Sequence, residues 1–307
     1  MTRNFISIQD WTSEEIKANI ELASELKILT KQGKCSPHLE KKSYALIFHK
    51  ESLRTRISFE VGIFQLGGMA MYLTGNDFEL GKRESNEDVA KVMSRYVDGI
   101  LIRTFDHQNV VELGHHADVP VINMLTDWSH PCQLMADILT VKEHLGTLEN
   151  LKIVYLGDGN NLANSWINMA ARIPMQLCIA TSTETMPDMQ LFEEVKAMGI
   201  SDLSISHSAQ EAVKNADVLY TDVWASMGQK EKAALKANQL KDFQINQKLL
   251  EYAKSSTIVM HCLPAERGYE ITSEVLDGPQ SVVLDQAENR LHAQKAILVQ
   301  LSRWQQQ

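Results

Sequence analysis

Residues 43–73 read SYALIFHKESLRTRISFEVGIFQLGGMAMYL. The opening run, 43–48, is short, apolar and aromatic-rich, which predicts a buried strand. A helix is expected over 53–66 and a second strand over 69–73. A helix between two strands returns the chain in the same direction, so this stretch predicts a parallel βαβ unit. The alternation continues outward along almost the whole chain. Further strands are expected at 99–103, 119–122, 152–156, 176–181, 217–221, 257–261 and 282–284. Further helices are expected at 12–31, 86–97, 107–117, 131–145, 161–173, 188–198, 246–254 and 287–303. Strands that read as continuous apolar runs belong to sheets covered by helices on both faces. The fold class predicted is α/β, with doubly wound parallel sheets.

At roughly 100–200 residues per domain, 307 residues favour two such domains. The break is expected in the turn-like gap 145–151 (LGTLENL), which separates a domain 1–145 from a domain 146–287. The closing helix, 288–307, is expected to pack back on the first. The charged segment 229–242 (QKEKAALKANQLKD) reads as a surface helix or a lid, with solvated surface as the plainer reading. A formal net charge of −9 argues against nucleic acid or an anionic membrane as partner, since both require a basic face. The cysteines at 35, 132, 178 and 262 form no C-x-x-C pair, and no apolar run approaches the ~18 residues of a membrane span. The first residues, MTRNFISIQDW, lack the apolar core of a signal peptide. The expectation is a reduced, cytoplasmic protein without nucleic-acid or membrane partners.

Several polar clusters follow strands or open helices. Ser52, Arg54 and Thr55 stand where a helix begins, and its unpaired N–H groups and positive dipole end suit a phosphate. An N-cap serine with surface arginines would look the same. His130 and Gln133 open the helix after Pro131, where a histidine can donate to a carbonyl and a glutamine can hold an amide; a capping turn with a packed histidine is the other reading. Gly157–Asn161 (GDGNN) resembles the start of a dinucleotide fingerprint, but Leu162 stands where a third glycine is needed. A polar turn at a strand's C-terminal end is the better reading. Asp222–Gly228 (DVWASMG) and His261–Pro264 (HCLP) also follow strands. Asp222 suits an ammonium group; Cys262 is a conceivable nucleophile with no evident activating histidine and acid.

SLRTR, HPCQ, DVWASMG, HCLP and AENRLH (287–292), in this order and spacing, together resemble the aspartate/ornithine carbamoyltransferase family across nearly the whole chain. SLRTR and HPCQ resemble motifs shared by the family; the SMG loop and HCLP resemble its ornithine branch. The resemblance implies two α/β domains with the active site in the cleft between them, a trimeric catalytic unit or a multiple of it, and no cofactor or metal. It implies transfer of the carbamoyl group of carbamoyl phosphate to the δ-amine of L-ornithine, giving citrulline and phosphate, in arginine synthesis or breakdown. Ser52, Arg54 and Thr55, with the Leu53 backbone, would hold the phosphate. Arg103 and His130 would polarise the carbamoyl carbonyl, and Gln133 would hold its amide. Asn161, Asp222, Ser226 and Met227 would bind the α-amino and α-carboxylate groups of ornithine. Cys262 and Leu263 would line the site near the attacking amine, with Asp222 and Cys262 orienting it, and Arg290 would close it. Arg56 reads as structural.

Two positions depart from the family pattern. Leu53 replaces the usual threonine; it shares a helix stripe with Ile57 and Phe64 and is expected to pack. Glu79, where the ornithine branch often carries glutamine, is expected to point away from the phosphate or to pair with Lys82 or Arg83. Other readings are a carbamoyltransferase acting on putrescine or aspartate, a dinucleotide-dependent oxidoreductase built on the GDGNN turn, and a non-catalytic binding relative.

Overall fold

The structure, a computed structural model, describes residues 2–34, 36–75, 80–81, 84–224 and 230–306. Glu79, Lys82, Arg83, Ser226 and Met227 therefore lie outside the described residues. The chain forms two compact units, Met1–Leu139 with Glu288–Gln307, and Thr140–Ala287.

The first unit runs α1 (Ser13–Lys31), β1 (Ser43–Phe48), α2 (Leu53–Gln65), β2 (Met69–Thr74), α3 (Asn86–Met93), β3 (Gly99–Arg103), α4 (His107–His116), β4 (Val121–Leu125) and the start of α5 (Pro131–Leu145). Its four strands pair in parallel in the order β2-β1-β3-β4. The chain winds from β1 to one edge, then returns to the other side of β1 at β3. That reversal opens a crevice beyond the C-terminal ends of β1 and β3, where ligands bind in open α/β sheets. Ala45, Ile47, Ile100, Ile102 and Val121 of the strands pack with Val89, Val110 and Leu113 of the helices to form the core. Each of the valine, leucine and isoleucine side chains contributes about 1.5–3 kcal/mol on burial.

The second unit runs β5 (Lys152–Leu156), α6 (Asn161–Ala170), β6 (Gln176–Ala180), α7 (Met189–Ala197), β7 (Asp202–Ser206), α8 (Ala209–Val213), β8 (Val218–Thr221), α9 (Lys230–Leu240), α10 (Gln247–Leu250), β9 (Ile258–His261) and α11 (Ser273–Leu276). The last helix, α12 (Val283–Trp304), begins in this unit and ends in the first. The strands are again parallel, ordered β7-β6-β5-β8-β9, with the reversal between β5 and β8. Val154, Leu156, Leu219 and Val259 meet Val213, Phe243, Leu249 and Val275 in its core. The doubly wound α/β class expected from the sequence is present in both units.

Three expectations need correction. No strand forms at 282–284. Val259 exchanges backbone hydrogen bonds with the 280–282 segment, but the chain turns into α12 at Val283, four residues before the expected start. Strand β7 was not expected, because Asp202–Ser206 alternates polar and apolar residues at a sheet edge instead of forming an apolar run. The Leu53 stripe does not pack within this chain: Leu53 and Phe64 are 75% and 78% exposed, and Ile57 is exposed as well. α2 carries a second stripe, Thr55, Phe59, Gly62 and Ile63, and this is the one it buries. A Cβ on Gly62 would stand 3.2 Å from Lys295 Cγ, so the glycine lets α2 lie close against α12. Among the described residues, no helix is long and apolar enough to cross a membrane.

Candidate active site

In the first unit, polar side chains gather at the β1/β3 reversal. Ser52, in extended conformation, caps α2 by accepting from the Thr55 N–H at 3.3 Å, and its hydroxyl donates to Thr55 Oγ1 at 3.1 Å. The remaining first-turn N–H groups face the loop with the positive end of the helix. Arg103 ends β3 and is buried. Its Nε donates to the Lys50 carbonyl at 3.1 Å and its Nη1 to Thr55 Oγ1 at 3.4 Å. Arg290 reaches the same hydroxyl from α12 through Nη2 at 3.3 Å, and its Nη1 donates to Gln133 Oε1 at 2.7 Å. The Gln294 amide, oriented with its oxygen toward Arg290, accepts from Nε at 3.0 Å and Nη2 at 2.9 Å while its nitrogen donates to Ser58 Oγ at 2.7 Å. Thr55 is thus the joint between two buried guanidinium groups.

His130 precedes Pro131, and its carbonyl accepts from the Gln133 N–H at 3.1 Å, which starts α5. The ring is buried. Burial first, then the charges of Arg290, Arg103 and Lys50, hold its pKa well below the ordinary histidine value. His130 is therefore a neutral imidazole at neutral pH. Two guanidiniums, a neutral imidazole, hydroxyls and a helix start make a site for a small dianion beside a polarised carbonyl. Arg54 is half-buried at the first turn of α2. Arg56 stacks 3.7 Å over the Tyr72 ring and pairs with Glu60 at 3.0 Å, so its guanidinium is engaged in structure.

In the second unit, the β5, β8 and β9 ends meet. The two glycines after β5 answer to packing. Gly157 has φ +127°, and a Cβ there would meet Trp224 Nε1 at 2.9 Å. A Cβ on Gly159 would strike the Pro187 nitrogen at 2.2 Å. The GDG turn is thus explained by close approach of the chain to itself, without a dinucleotide. Asn160 then caps α6, accepting from Leu162 and Ala163, and its Nδ2 donates to Asp222 Oδ2 at 2.9 Å. The other Asp222 oxygen accepts from the Cys262 thiol at 2.8 Å. An S–H directed into a carboxylate is the reverse of the electropositive setting that generates a thiolate, which sets the nucleophile reading aside. Leu263 has φ 55°, and its N–H donates to His261 Nδ1 at 2.9 Å. His261 Nε2 must then carry its proton, which it donates to Glu270 Oε1 at 3.0 Å in a fully buried pair. Asp222, His261 and Cys262 place donor atoms within 4.8 Å of one another, the spacing of a metal-ligand set. Both ring nitrogens of His261 are engaged, so these residues form a hydrogen-bonded brace for the β9 turn. Asp158 pairs with Lys236 of α9, while burial raises its pKa against that cation.

The expected residues therefore gather into one set per unit. The first holds Ser52, Leu53, Arg54, Thr55, Arg103, His130, Gln133 and Arg290. Only the backbone of Leu53 is in place to serve, since its side chain points to solvent. The second holds Asp222, Cys262 and Leu263, with Asn161 at the first position of α6. Asn160 was legible only as part of the GDGNN turn, with no role of its own, while Asp137 and Gln294, four residues from Gln133 and Arg290 on their helices, carried no site expectation. No sequence signal marked Glu270.

Residues 3–143 match the carbamoyl-P binding domain of aspartate/ornithine carbamoyltransferases, and residues 149–301 match the Asp/Orn binding domain. The chain belongs to the aspartate/ornithine carbamoyltransferase family, whose members move a carbamoyl group. The chain resembles relatives and a solved structure that all carry the name ornithine carbamoyltransferase. It is 51% identical to the ornithine carbamoyltransferase of Syntrophus aciditrophicus (strain SB) over 97% of this chain and 99% of that one. It is 49% identical to the chloroplastic ornithine carbamoyltransferase of Pisum sativum, covering 97% of this chain and 80% of that one. The solved ornithine carbamoyltransferase of Pyrococcus furiosus superposes with a TM-score of 0.93 at 46% identity, over 96% of each chain.

Proposed function

We propose that this chain transfers the carbamoyl group of carbamoyl phosphate to the δ-amine of L-ornithine, releasing phosphate and L-citrulline. The observation that carries the reading is the buried joint in which Arg103 and Arg290 converge on Thr55 beside neutral His130 and Gln133. Ser52, Arg54, Thr55 and the Leu53 N–H hold the phosphate at the α2 start. Arg103 and His130 donate to the carbamoyl oxygen, and Gln133 accepts from the carbamoyl amide. Arg290 completes this set. Asp222 pairs with the α-ammonium of ornithine, with Asn161, Ser226 and Met227 around its α-carboxylate, while Cys262 and Leu263 border the attacking amine.

A neutral δ-amine attacks the carbamoyl carbon, and the carbonyl electrons move onto oxygen. Arg103, His130 and Thr55 stabilise that oxyanion. Collapse breaks the C–O bond to phosphate, and the proton lost from the attacking nitrogen is taken up by the departing phosphate, which leaves as the dianion. Positioning of the two substrates supplies much of the remaining rate enhancement. The purified protein should form citrulline from carbamoyl phosphate and ornithine in a colorimetric assay, and putrescine should be carbamoylated far more slowly, since it has no α-ammonium or α-carboxylate for Asp222 and Asn161. No citrulline at saturating substrates would overturn the reading; preference for putrescine would move it to that acceptor.

The reading includes a trimer in the cytoplasm. Support for assembly comes from Leu53, Ile57 and Phe64, an apolar strip exposed along α2. Among the described residues, Cys132, Cys178 and Cys262 form no disulfide, which is compatible with a reducing compartment. Sedimentation velocity is expected to give a species of three chains, and Phe64→Glu is expected to shift it toward smaller species. A monomer with full activity would exclude the trimer.

A further inference from the structure

Gln133 is held at both ends by groups that leave it no choice of orientation. Arg290 Nη1, 2.7 Å away, can only donate, so the atom it meets is the amide oxygen. Asp137 Oδ1, 2.8 Å from the other end, accepts from the amide nitrogen. Asp137 lies one helical turn beyond Gln133 on α5 and is completely buried, and it has no part in the mechanism above. A carboxylate is retained in a protein interior where hydrogen bonds or charge compensate its desolvation. Here it faces a neutral amide that in turn faces a guanidinium. The chain Asp137–Gln133–Arg290–Thr55 is therefore polarised from acid to base and ends at the cationic cluster.

We propose that Asp137 is a positioning residue that locks the Gln133 amide with its oxygen on the Arg290–Thr55 side, so that the site selects an acyl phosphate bearing an NH2 group over one bearing a methyl group in the same place. The inference rests on the carbamoyl-transfer reading and deepens it. The amide of carbamoyl phosphate has two N–H donors and needs an acceptor. Gln133 Oε1 retains a lone pair after accepting from Arg290. Were the Gln133 amide turned over or swung away, the NH2 group would lose that acceptor and a buried donor would be left unpaired. Phosphate binding at the α2 start would be untouched. A methyl group makes no such demand, so its affinity should not depend on Asp137.

Acetyl phosphate, which carries methyl in place of NH2, is the probe, used as a competitive inhibitor of citrulline formation. Asp137→Leu removes the acceptor at similar volume. It should raise the KM for carbamoyl phosphate about tenfold or more while changing the inhibition constant of acetyl phosphate less than twofold. Asp137→Asn retains an acceptor oxygen and should return carbamoyl phosphate to within about threefold of the unmodified enzyme. In a Gln133→Leu background, Asp137→Leu should add less than twofold, because its target is gone. Should Asp137→Leu fail to fold, Asp137→Ala carries the same comparison. Equal weakening of both acyl phosphates, or full additivity with Gln133→Leu, would show a structural role and overturn the proposal. Absence of citrulline formation by the unmodified enzyme would instead overturn the reading on which it rests.

Discussion

Arg103→Ala is expected to lower kcat by ~10²–10³ while the KM for carbamoyl phosphate moves far less. The side chain ends β3 with its Nε tied to the Lys50 carbonyl, so its remaining N–H groups are aimed without further ordering. Charge on the carbonyl oxygen grows between the bound substrate and the tetrahedral intermediate, and a donor already in place is worth more to the second than to the first. Arg54, at the α2 start, is proposed to meet the phosphate, which is charged in ground state and transition state alike, so Arg54→Ala should weaken binding and rate together. Thr55 keeps its contact with Arg290 in the Arg103 variant, which limits collateral damage. Steady-state kinetics separate the two patterns, and a near-neutral Arg103→Ala would contradict the assignment. The pH profile adds a second check. His130 stays neutral because burial and neighbouring cations depress its pKa, so no inflection near 6.5 should appear. The rate with subsaturating ornithine should instead climb with pH, because its amine, like lysine with pKa ~10.4, must lose a proton before it attacks.

Asp222→Asn should raise the KM for ornithine by ~10²–10³ through loss of one member of a buried ion pair, a change that costs about 2–5 kcal/mol. The carboxylate has both oxygens committed as acceptors, one from Asn160 and one from Cys262. An asparagine can accept at one of them and must turn an NH2 group on the other. The variant therefore loses the charge proposed to pair with the α-ammonium and also disturbs the hydrogen bonds that hold the side chain. Inhibition by inorganic phosphate, which requires neither ornithine nor Asp222, should remain within about twofold. A KM for ornithine within threefold of the unmodified enzyme would remove Asp222 from the ammonium site.

Much of the fold and of the site is legible in the chain itself. Apolar strand runs alternating with helices specify parallel sheets, because buried strands must be apolar on both faces and the crossover must be a helix. Motifs such as SLRTR and HPCQ are short in sequence, and capping geometry is local, so a helix start and its N–H groups could be read directly. Other features required the fold. The choice between two apolar stripes on α2 depends on what α12 presents, as does the role of Gly62. The short 202–206 strand carries its signal at a sheet edge that only assembly defines. Thr55 becomes the joint of two guanidiniums because residues 48 and 235 positions away in sequence converge on it. Asp137, Gln294 and Glu270 matter through side-chain partners that no spacing rule specifies. Sequence by itself determined the alternation, the caps and the kinds of chemistry available, since these depend on neighbours along the chain. Tertiary structure decided which face is buried, which amide end points to which charge, and which carboxylate meets which thiol, since those are set by close packing between segments far apart in sequence.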